Sequence, residues 1–449
     1  MKRTKGQSAK DRHKAGGGRG AASIPSEPLL VEIEKPIYGG AFLARVEGKS
    51  IFVPLTLAGE RVRVRIVESK PSYAKAEVDQ IVRPAPERIA PACGHFGACG
   101  GCDYQHTGYS TQLGLKRAIL RETLERGGVA VPEKMSVLAG EPWGYRNRIR
   151  LAFDAEGKPG YRGRRSHAVV PIRECPIAAP LLLRAALAFA EVMRDLGLRH
   201  WTTEIALFCD AAESALLASL FISHPAKARF DELAQACQAR IPELRGAELV
   251  VEGGAGQRPR TIARWGAASL AYRAAGFDYR VDHGAFFQVN RWLVDALVER
   301  VVADSSGKLA WDLFAGVGLF ARRLAERFEG VVAVESAPTA KAALAANLAD
   351  SGALAVSAET LSFLRKGRNG VRPDLVVADP PRTGLGAETC ALLAEIAAPT
   401  LVCVSCDPAT LARDLRALTG SGYAIESVTL ADLFPQTFHL ETVVHLRRA

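Results

Sequence analysis

The chain has 449 residues, of which 48% are hydrophobic and 24% charged, and its formal net charge is +10. This length predicts two to four domains with sizeable cores, and the composition excludes a wholly disordered chain. Charged residues interrupt every apolar stretch before the ~18 residues that a membrane-spanning helix needs, so no membrane association is expected. Nine cysteines and an N-terminus without a secretory signal pattern predict a reducing, cytoplasmic location.

Much of the net charge lies at the N-terminus. Residues 1–20 contain seven basic side chains and one acidic side chain, a surplus of +6, together with three consecutive glycines. This composition predicts a disordered tail over residues 1–23. Such a tail suits a polyanionic partner such as RNA, and a tail that merely aids solubility is an equal alternative.

Residues 24–83 predict a small all-β domain. In residues 61–66 the chain alternates strictly, which places Val62, Val64 and Ile66 on one face and three arginines on the other. Further strand-like runs with glycine turns cover residues 29–34, 42–46 and 51–53. Such short strands indicate a closed barrel of the oligonucleotide-binding type. The arginine face favours RNA binding, with an ordinary solvated face as the alternative.

Residues 84–285 mix strand-like and helical runs, including a basic amphipathic helix predicted over residues 108–127. Between residues 143 and 175 there are eight basic and three acidic side chains, a surplus of +5, interspersed with aromatic residues. Aromatic rings can stack on unpaired bases and arginines can bind phosphates, so this segment predicts an RNA contact. A solvated β-hairpin is the alternative.

From residue 286 onward, strand-like and helical runs alternate, which is typical of a doubly wound parallel sheet. The predicted strands cover residues 309–314, 331–335, 375–379 and 401–405. The first runs into a Gly-x-Gly-x-x-Ala loop at Gly316 and Gly318, and Glu335 ends the next strand. This arrangement can hold NAD, a flavin or S-adenosylmethionine. The later segment Asp379-Pro380-Pro381-Arg382 favours a methyltransferase over a dehydrogenase or a purely structural turn.

Two further residues suggest the reaction. Cys406 follows the strand at 401–405 and therefore lies at the ligand-binding edge of the predicted sheet, although buried packing is the ordinary role of such a cysteine. Carbon 5 of uracil is a poor nucleophile, but addition of a thiolate at C6 activates C5 toward a methyl donor. A base must then remove the C5 proton, and Glu441 is the candidate, with a structural strand residue as the alternative.

Taken together, these motifs resemble those of the RNA uracil-C5 methyltransferases. The matching segments are Asp-Leu-Phe-x-Gly-x-Gly, Asp-Pro-Pro-Arg, Ser-Cys-x-Pro and His-x-Glu in this order, preceded by Phe-Phe-Gln-Val-Asn at residues 286–290. The resemblance implies that Cys406 is the nucleophile and Glu441 the proton acceptor. It also implies contacts to S-adenosylmethionine or to the reacting base from Gln288, Phe314, Gly316, Gly318, Glu335 and Asp379. Asp407 stands where the family usually has asparagine, and Leu319 and Thr360 also depart from its pattern.

Four cysteines form a candidate metal site: Cys93, Cys99, Cys102 and Cys175. Four thiolates suit zinc or an iron–sulfur cluster, and three clustered cysteines with one distant cysteine before proline favour [4Fe–4S] over zinc or unliganded thiols. Residues 93–106 are also similar to the iron–sulfur members of the same family. Because the methylation needs no electron transfer, this resemblance implies a structural cluster that ties residues 93–102 to the segment at 175.

The sequence therefore predicts an α/β protein with a class I Rossmann-like methyltransferase domain at residues 286–449. A barrel resembling the TRAM RNA-binding module covers 24–83, and a central α+β iron–sulfur and RNA-binding domain covers 84–285, whose helix at 108–127 could dock on the catalytic domain. The predicted function is methyl transfer from S-adenosylmethionine to C5 of one uridine in 23S ribosomal RNA, without an obligate protein partner. A tRNA uracil methyltransferase and a non-catalytic RNA-binding factor are the alternatives.

Overall fold

The computed structural model describes residues 27–225, 227–253, 259–367 and 370–448. The basic tail predicted over residues 1–23 lies outside the described residues. The chain forms two compact units, one of residues 27–35 and 41–85 and the other of residues 36–40 and 86–448. In the described parts of the chain, no helix is long and apolar enough to cross a membrane.

The first unit is a closed barrel with the strand order β1-β2-β3-β5-β4. Its strands are β1 (Leu29–Pro36), β2 (Ala41–Val46), β3 (Lys49–Pro54), β4 (Arg61–Ser69) and β5 (Tyr73–Arg83). The aliphatic residues of β4 are buried and its arginines exposed, as the alternation predicts. Strand β5 escapes prediction because its buried positions include only small residues, Ala74 and Ala76, which give a weak hydrophobic signal.

The second unit begins with a helix and a mostly antiparallel sheet. Its first elements are α1 (Tyr109–Arg126), β6 (Ser136–Leu138), β7 (Arg148–Phe153), β8 (Pro159–Arg162), β9 (Val169–Pro171), α2 (Pro180–Asp195), β10 (Glu204–Cys209), β11 (Leu216–Ile222), α3 (Phe230–Arg240), β12 (Leu244–Val251) and β13 (Arg260–Gly266). Seven of these strands form the central sheet, in the order β13-β12-β11-β10-β7-β8-β9. Helices α2 and α3 pack on one of its faces and form an apolar core with it.

The hairpin of β14 (Ser269–Ala274) and β15 (Phe277–Asp282) leads into the catalytic part. The remaining elements are α4 (Val294–Val302), β16 (Gly307–Leu313), α5 (Leu319–Leu324), β17 (Phe328–Glu335), α6 (Pro338–Leu348), β18 (Leu354–Ser357), α7 (Thr360–Gly367), β19 (Leu375–Ala378), α8 (Ala387–Ile396), β20 (Thr400–Ser405), α9 (Pro408–Thr419), β21 (Tyr423–Ala431) and β22 (Glu441–Arg448).

These elements build an eight-stranded catalytic sheet in the order β18-β17-β16-β19-β20-β22-β21-β6. The strands from β18 to β20 are parallel, as the alternation of strands and helices predicts. The final hairpin is not a continuation of that pattern, because β22 runs antiparallel to both β20 and β21. Strand β6 adds parallel to β21 at the edge, so residues 136–138 belong to the catalytic sheet.

Candidate active site

The carboxyl ends of three neighbouring parallel strands bring the predicted site residues together. Strand β16 ends before Phe314, β19 ends before Asp379, and β20 ends before Cys406. Ligands of doubly wound sheets bind at this edge because the loops that follow the strands converge there. The arrangement therefore places the predicted nucleophile on the ligand-binding edge of the sheet.

The antiparallel strand β22 adds the predicted base to this edge. Its register sets Thr442 opposite Ser405, the last residue of β20. Glu441 precedes Thr442 and Cys406 follows Ser405, so the two side chains lie at adjacent positions on neighbouring strands. The juxtaposition depends on β22 lying directly beside β20, which the sequence pattern does not predict.

Burial and nearby charges determine the proton affinities of this pair. Burial is the largest influence on Cys406 and, with the charge of Glu441, raises the pKa of the thiol to about 11. Burial and the neighbouring Asp379 also raise the pKa of Glu441 well above its usual value. Arg382 opposes both shifts, because its positive charge stabilises the thiolate and the carboxylate. Arg382 is therefore the cation that favours the reactive, deprotonated forms.

Asp407, the departure from the family pattern, caps helix α9. Its Oδ1 accepts hydrogen bonds from the backbone N–H groups of Ala409 and Thr410, both at 2.9 Å. The helix N-terminus stabilises this carboxylate, and an asparagine side-chain oxygen would make the same cap. The substitution therefore preserves the local structure beside the cysteine.

The predicted cofactor residues surround the glycine loop after β16. Gln288, Phe314, Gly316 and Asp379 line one small cavity. The carboxylate of Glu335 accepts hydrogen bonds from the N–H groups of Gly316 (2.9 Å) and Ala337 (2.6 Å), so it lies directly beside the loop. Burial raises the pKa of Asp379 to about 7.

Two positions of this loop adopt left-handed backbone conformations. Gly318 has φ +90°, and a Cβ atom there would lie 3.0 Å from Leu344 Cδ1, so any other residue would strain the backbone and crowd this leucine. Phe314 has φ +63° although it is not a glycine, which stores strain of the order of 1 kcal/mol. Strained residues of this kind concentrate at ligand-binding sites. Leu319, the first residue of α5, is buried in the core under the loop.

Two further residues belong to the site: Asp312, which begins the Asp-Leu-Phe-x-Gly-x-Gly motif, and Tyr38, which carries no sequence signal. Asp312 is fully buried in β16, burial raises its pKa to about 8, and its Oδ1 atom has no hydrogen-bond partner. Tyr38 lies in the segment 36–40 of the second unit, where its hydroxyl donates to the backbone carbonyl of Cys406 (3.4 Å). Its ring makes an edge-to-face contact with Phe438. No periodicity could reveal Tyr38, since it lies 368 residues from Cys406 in sequence.

Residues 432–439, here called the base loop, connect β21 to β22 and precede Glu441. Lys116 of α1 donates from Nζ to Asp432 Oδ1 (2.6 Å) and to the carbonyl of Phe434 (2.9 Å), and both charged side chains are fully buried. Gln112, one turn earlier, exchanges two hydrogen bonds with Gln436. These buried polar contacts fix α1 to the base loop, and α1 also packs on α9.

The base loop also contacts the cysteine segment. The N–H groups of Asp103 and Tyr104 donate to the carbonyl of Gln436, and Asp103 Oδ2 accepts from the N–H of Phe438 (3.2 Å). His439 lines the cavity that the cysteines surround and lies 3.5 Å from a nitrogen of Arg382. One loop therefore touches the cysteine cavity and leads directly to the predicted base.

The four predicted metal ligands line a single cavity of about 240 Å³. Burial raises the pKa of each thiol. The two chain segments are joined by hydrogen bonds from Gly94 N–H to Glu174 (2.6 Å) and from Arg173 N–H to His95 Nε2 (3.1 Å). Within the residues that the structure describes, no three histidine, cysteine or acidic side chains are close enough to hold one metal ion.

Comparison with known proteins decides the family. The model of the tRNA (uracil-5-)-methyltransferase family matches residues 266–449, and the TRAM domain model matches residues 27–78. A 23S rRNA (uracil(1939)-C(5))-methyltransferase from Chromohalobacter salexigens is 34% identical over 433 residues, which cover 93% of this chain and 89% of that protein. The chain belongs to the RNA uracil-C5 methyltransferase family. It is an S-adenosylmethionine-dependent enzyme, which confirms the predicted enzyme class and the TRAM barrel.

Other proteins similar to this uracil-C5 methyltransferase agree with the assignment. An uncharacterized RNA methyltransferase from Streptomyces avermitilis is 33% identical, over 94% of this chain and 99% of that protein. The crystal structure of a Pyrococcus abyssi tRNA (uracil-54, C5)-methyltransferase in complex with S-adenosyl-L-homocysteine has a TM-score of 0.75 and 24% identity, and covers 93% of this chain and 99% of that one. This likeness confirms the predicted α/β methyltransferase fold.

Proposed function

We propose that this uracil-C5 methyltransferase modifies one specific uridine of 23S ribosomal RNA through a covalent adduct with Cys406. Similar enzymes named for 23S rRNA support the substrate, since those from Chromohalobacter salexigens and Pseudomonas entomophila are 34% and 31% identical over 93% and 96% of this chain. The tRNA enzyme from Pyrococcus abyssi supports only the fold at 24% identity. Ribosomal RNA is therefore preferred over tRNA.

The observation that carries the mechanism is the adjacency of Cys406 and Glu441 across β20 and β22. In the first step the Cys406 thiolate forms a bond to C6 of uracil, and the electron pair of the C5–C6 double bond moves into an enolate. C5 then has carbanion character. Arg382 lowers the pKa of Cys406 and thereby promotes the thiolate that this step needs.

Glu441 is the proposed base of the second half of the reaction. Once C5 carries the methyl group, the Glu441 carboxylate takes the C5 proton, the C5–C6 double bond re-forms and the bond from Cys406 to C6 breaks. The raised pKa of Glu441 makes its carboxylate a stronger base than an exposed glutamate. The target base must be unpaired or flipped to reach both side chains.

Gln288, Phe314, Gly316, Gly318, Glu335 and Asp379 are the proposed binding residues for S-adenosylmethionine, which supplies an electrophilic methyl group when bound. Four of these residues line one cavity, which supports their role in binding this cofactor. The carboxylate of Glu335 lies beside the glycine loop, where it can accept hydrogen bonds from ribose hydroxyls. Asp312 Oδ1, buried below the loop without a partner, is a further polar atom available to a ligand at this site.

The cysteines 93, 99, 102 and 175 are the proposed ligands of a [4Fe–4S] cluster. Four thiolates are a ligand set that suits such a cluster. The arrangement of the four thiols around one cavity supports this proposal. Arg146 lies near Cys102 and Cys175 and would balance the negative charge of the ligated thiolates. The cluster would hold residues 93–102 against the segment at 175.

RNA binding and catalysis are assigned to different parts of the chain. The barrel at residues 24–83 and the central region at 84–285 are the proposed RNA-binding parts, and residues 286–449 are the proposed catalytic domain. The cysteine site lies in the central region, where the base loop links it to Glu441. RNA recognition and catalysis would thus meet at the base loop.

The test uses transcripts of 23S rRNA and of tRNA that carry tritium at C5 of uridine. The proposal predicts tritium release and one methylated uridine, mapped by mass spectrometry, in the 23S transcript alone. E441Q should form the adduct but release tritium ~100-fold or more slowly, because the base is missing. Methylation of tRNA alone would overturn the substrate proposal, and undiminished methylation by C406A would overturn the covalent mechanism.

A further inference from the structure

A larger cavity, of about 660 Å³, lies on the face of the central sheet opposite α2 and α3. Side chains of β7, β10, β11, β12 and β13 line it. It extends to His283, Val289 and Thr339, and Val289 directly follows the proposed cofactor residue Gln288. The cavity therefore extends from the central sheet to the chain segment that carries a proposed cofactor residue.

Arg148 carries an uncompensated charge in this cavity. Its guanidinium lies over the ring of Phe208, 4.4 Å from the ring centre. Its Nε atom is buried and has no hydrogen-bond partner among the described residues. The carboxylate of Glu204 pairs instead with Arg150 and Arg162. Burial without a partner also lowers its pKa to about 10. The side chain is only partly buried, so its guanidinium remains accessible to a ligand that supplies the counter-charge.

The neighbouring charged groups of the cavity are already paired. Arg150, which lies over the ring of Phe221, forms an ion pair with Glu204, and Arg264 lies 3.6 Å from Glu248. Glu248 also accepts hydrogen bonds from the hydroxyl groups of Ser219 and Thr261. Arg148 thus differs from its neighbours on the same face.

Arg146 and Asp282 also have local partners. Arg146 contacts the Tyr145 hydroxyl and lies near the thiols of the cysteine site, so its positive charge acts on those groups. Asp282 Oδ1 accepts a hydrogen bond from Arg280 Nε (2.8 Å). Neither residue neutralises Arg148.

We infer that Arg148 binds a backbone phosphate of the unpaired RNA strand beside the target uridine, with Phe208 supporting the guanidinium. A planar guanidinium matches two phosphate oxygens at once. Phe221 with Arg150 provides a second aromatic–arginine pair on the same face, suited to stacking by a neighbouring base. The inference rests on the proposed function only in taking RNA as the substrate, whichever RNA carries the target.

The matched control for Arg148 is Arg184. Arg184 lies on α2, on the opposite face of the same sheet, and its exposed side chain pairs with Glu243 at 2.6 Å. Substitution of either arginine by glutamine removes one positive charge from the same part of the molecule. Only R148Q removes the charge from the cavity.

The binding experiment uses a fluorescent, uridine-rich RNA of about 20 nucleotides without secondary structure, titrated with the whole protein at several salt concentrations. R148Q is expected to bind about tenfold more weakly than wild type at low salt, and the slope of log K against log salt should fall by about 0.7, the value for one phosphate of a single strand. R148K should keep the salt-dependence slope of the wild type, and R184Q should match the wild type in both affinity and slope. Equal affinity and slope for R148Q and R184Q would overturn the inference.

A footprint on the wild-type protein keeps the inference testable if R148Q does not fold. Phenylglyoxal modifies accessible arginines, and mass spectrometry reads each position. The same RNA should protect Arg148 and leave Arg184 reactive, and equal reactivity of Arg148 with and without RNA would contradict the assignment. Because this RNA need not be methylated, failure of the 23S rRNA proposal would leave these results unchanged.

Discussion

At the scale of single residues, the site combines a thiol and a carboxyl group that both hold their protons more tightly than exposed side chains. Burial is the main cause for both, while the charge of Glu441 disfavours the thiolate and the charge of Asp379 disfavours the Glu441 carboxylate. Arg382 is the opposing cation. The sequence predicts Cys406 and Glu441 through short motifs, whereas Tyr38 emerges only from the fold. Arg148 belongs to the segment 143–175 predicted to contact RNA, but only the fold shows that its Nε atom lacks a partner.

The pH dependence of Cys406 alkylation tests these electrostatics. In E441Q the negative charge beside the thiolate is absent, so the pKa of Cys406 falls and its alkylation by iodoacetamide should begin about one pH unit lower than in wild type. R382Q removes the stabilising cation, so its profile should move to higher pH. Mass spectrometry of the Cys406 peptide measures each profile, and identical profiles for the three proteins would refute the assigned interactions.

At the scale of elements, the parallel strands follow from the sequence pattern but the final hairpin does not. Alternating apolar runs predict β16, β17, β19 and β20, because each is a short buried strand between helices. The pattern does not indicate which strands β22 pairs with. That pairing depends on the base loop, which Lys116 and Gln112 of a distant helix hold by buried hydrogen bonds.

K116M tests this support of the base loop. The substitution leaves Asp432 buried without its cation, so the free energy of unfolding should fall by about 3–5 kcal/mol, measured by urea denaturation. K134M removes the same charge from an exposed position and should change it by less than about 0.5 kcal/mol. An equally small effect of both substitutions would show that the buried pair is not required.

At the scale of the whole chain, the sequence predicts the TRAM barrel and the methyltransferase fold, which the structure and the comparisons confirm. The sequence predicts a helix at 108–127 that could dock on the catalytic domain, and α1 packs on α9 and β21. The pairing of β6 with β21 could not be read from the sequence, because β6 joins the catalytic sheet from far earlier in the chain. The cysteine site links further distant segments, since residues 93–102 and 175 share one cavity with His439 of the base loop.

The metal content of the purified enzyme tests the cysteine assignment. Anaerobic wild-type protein should contain about four iron atoms per chain and show the visible absorbance of an iron–sulfur cluster. C99S and C175S should lose both signals, because each removes one ligand. C237S, at a buried cysteine of α3 outside the cavity, is the matched control and should retain iron. Colourless wild-type protein that contains zinc would contradict the cluster.

The central claim, covalent catalysis by Cys406, is tested most directly with 23S rRNA transcripts that contain 5-fluorouridine. Fluorine at C5 cannot leave as a proton does, so the adduct between sulfur and C6 should persist after methyl transfer. In the presence of S-adenosylmethionine, the account predicts a stable protein–RNA complex whose peptide mass places the link on Cys406, and no complex with C406A. A complex linked to another residue, or methylation of ordinary RNA without any trapped complex, would contradict the account.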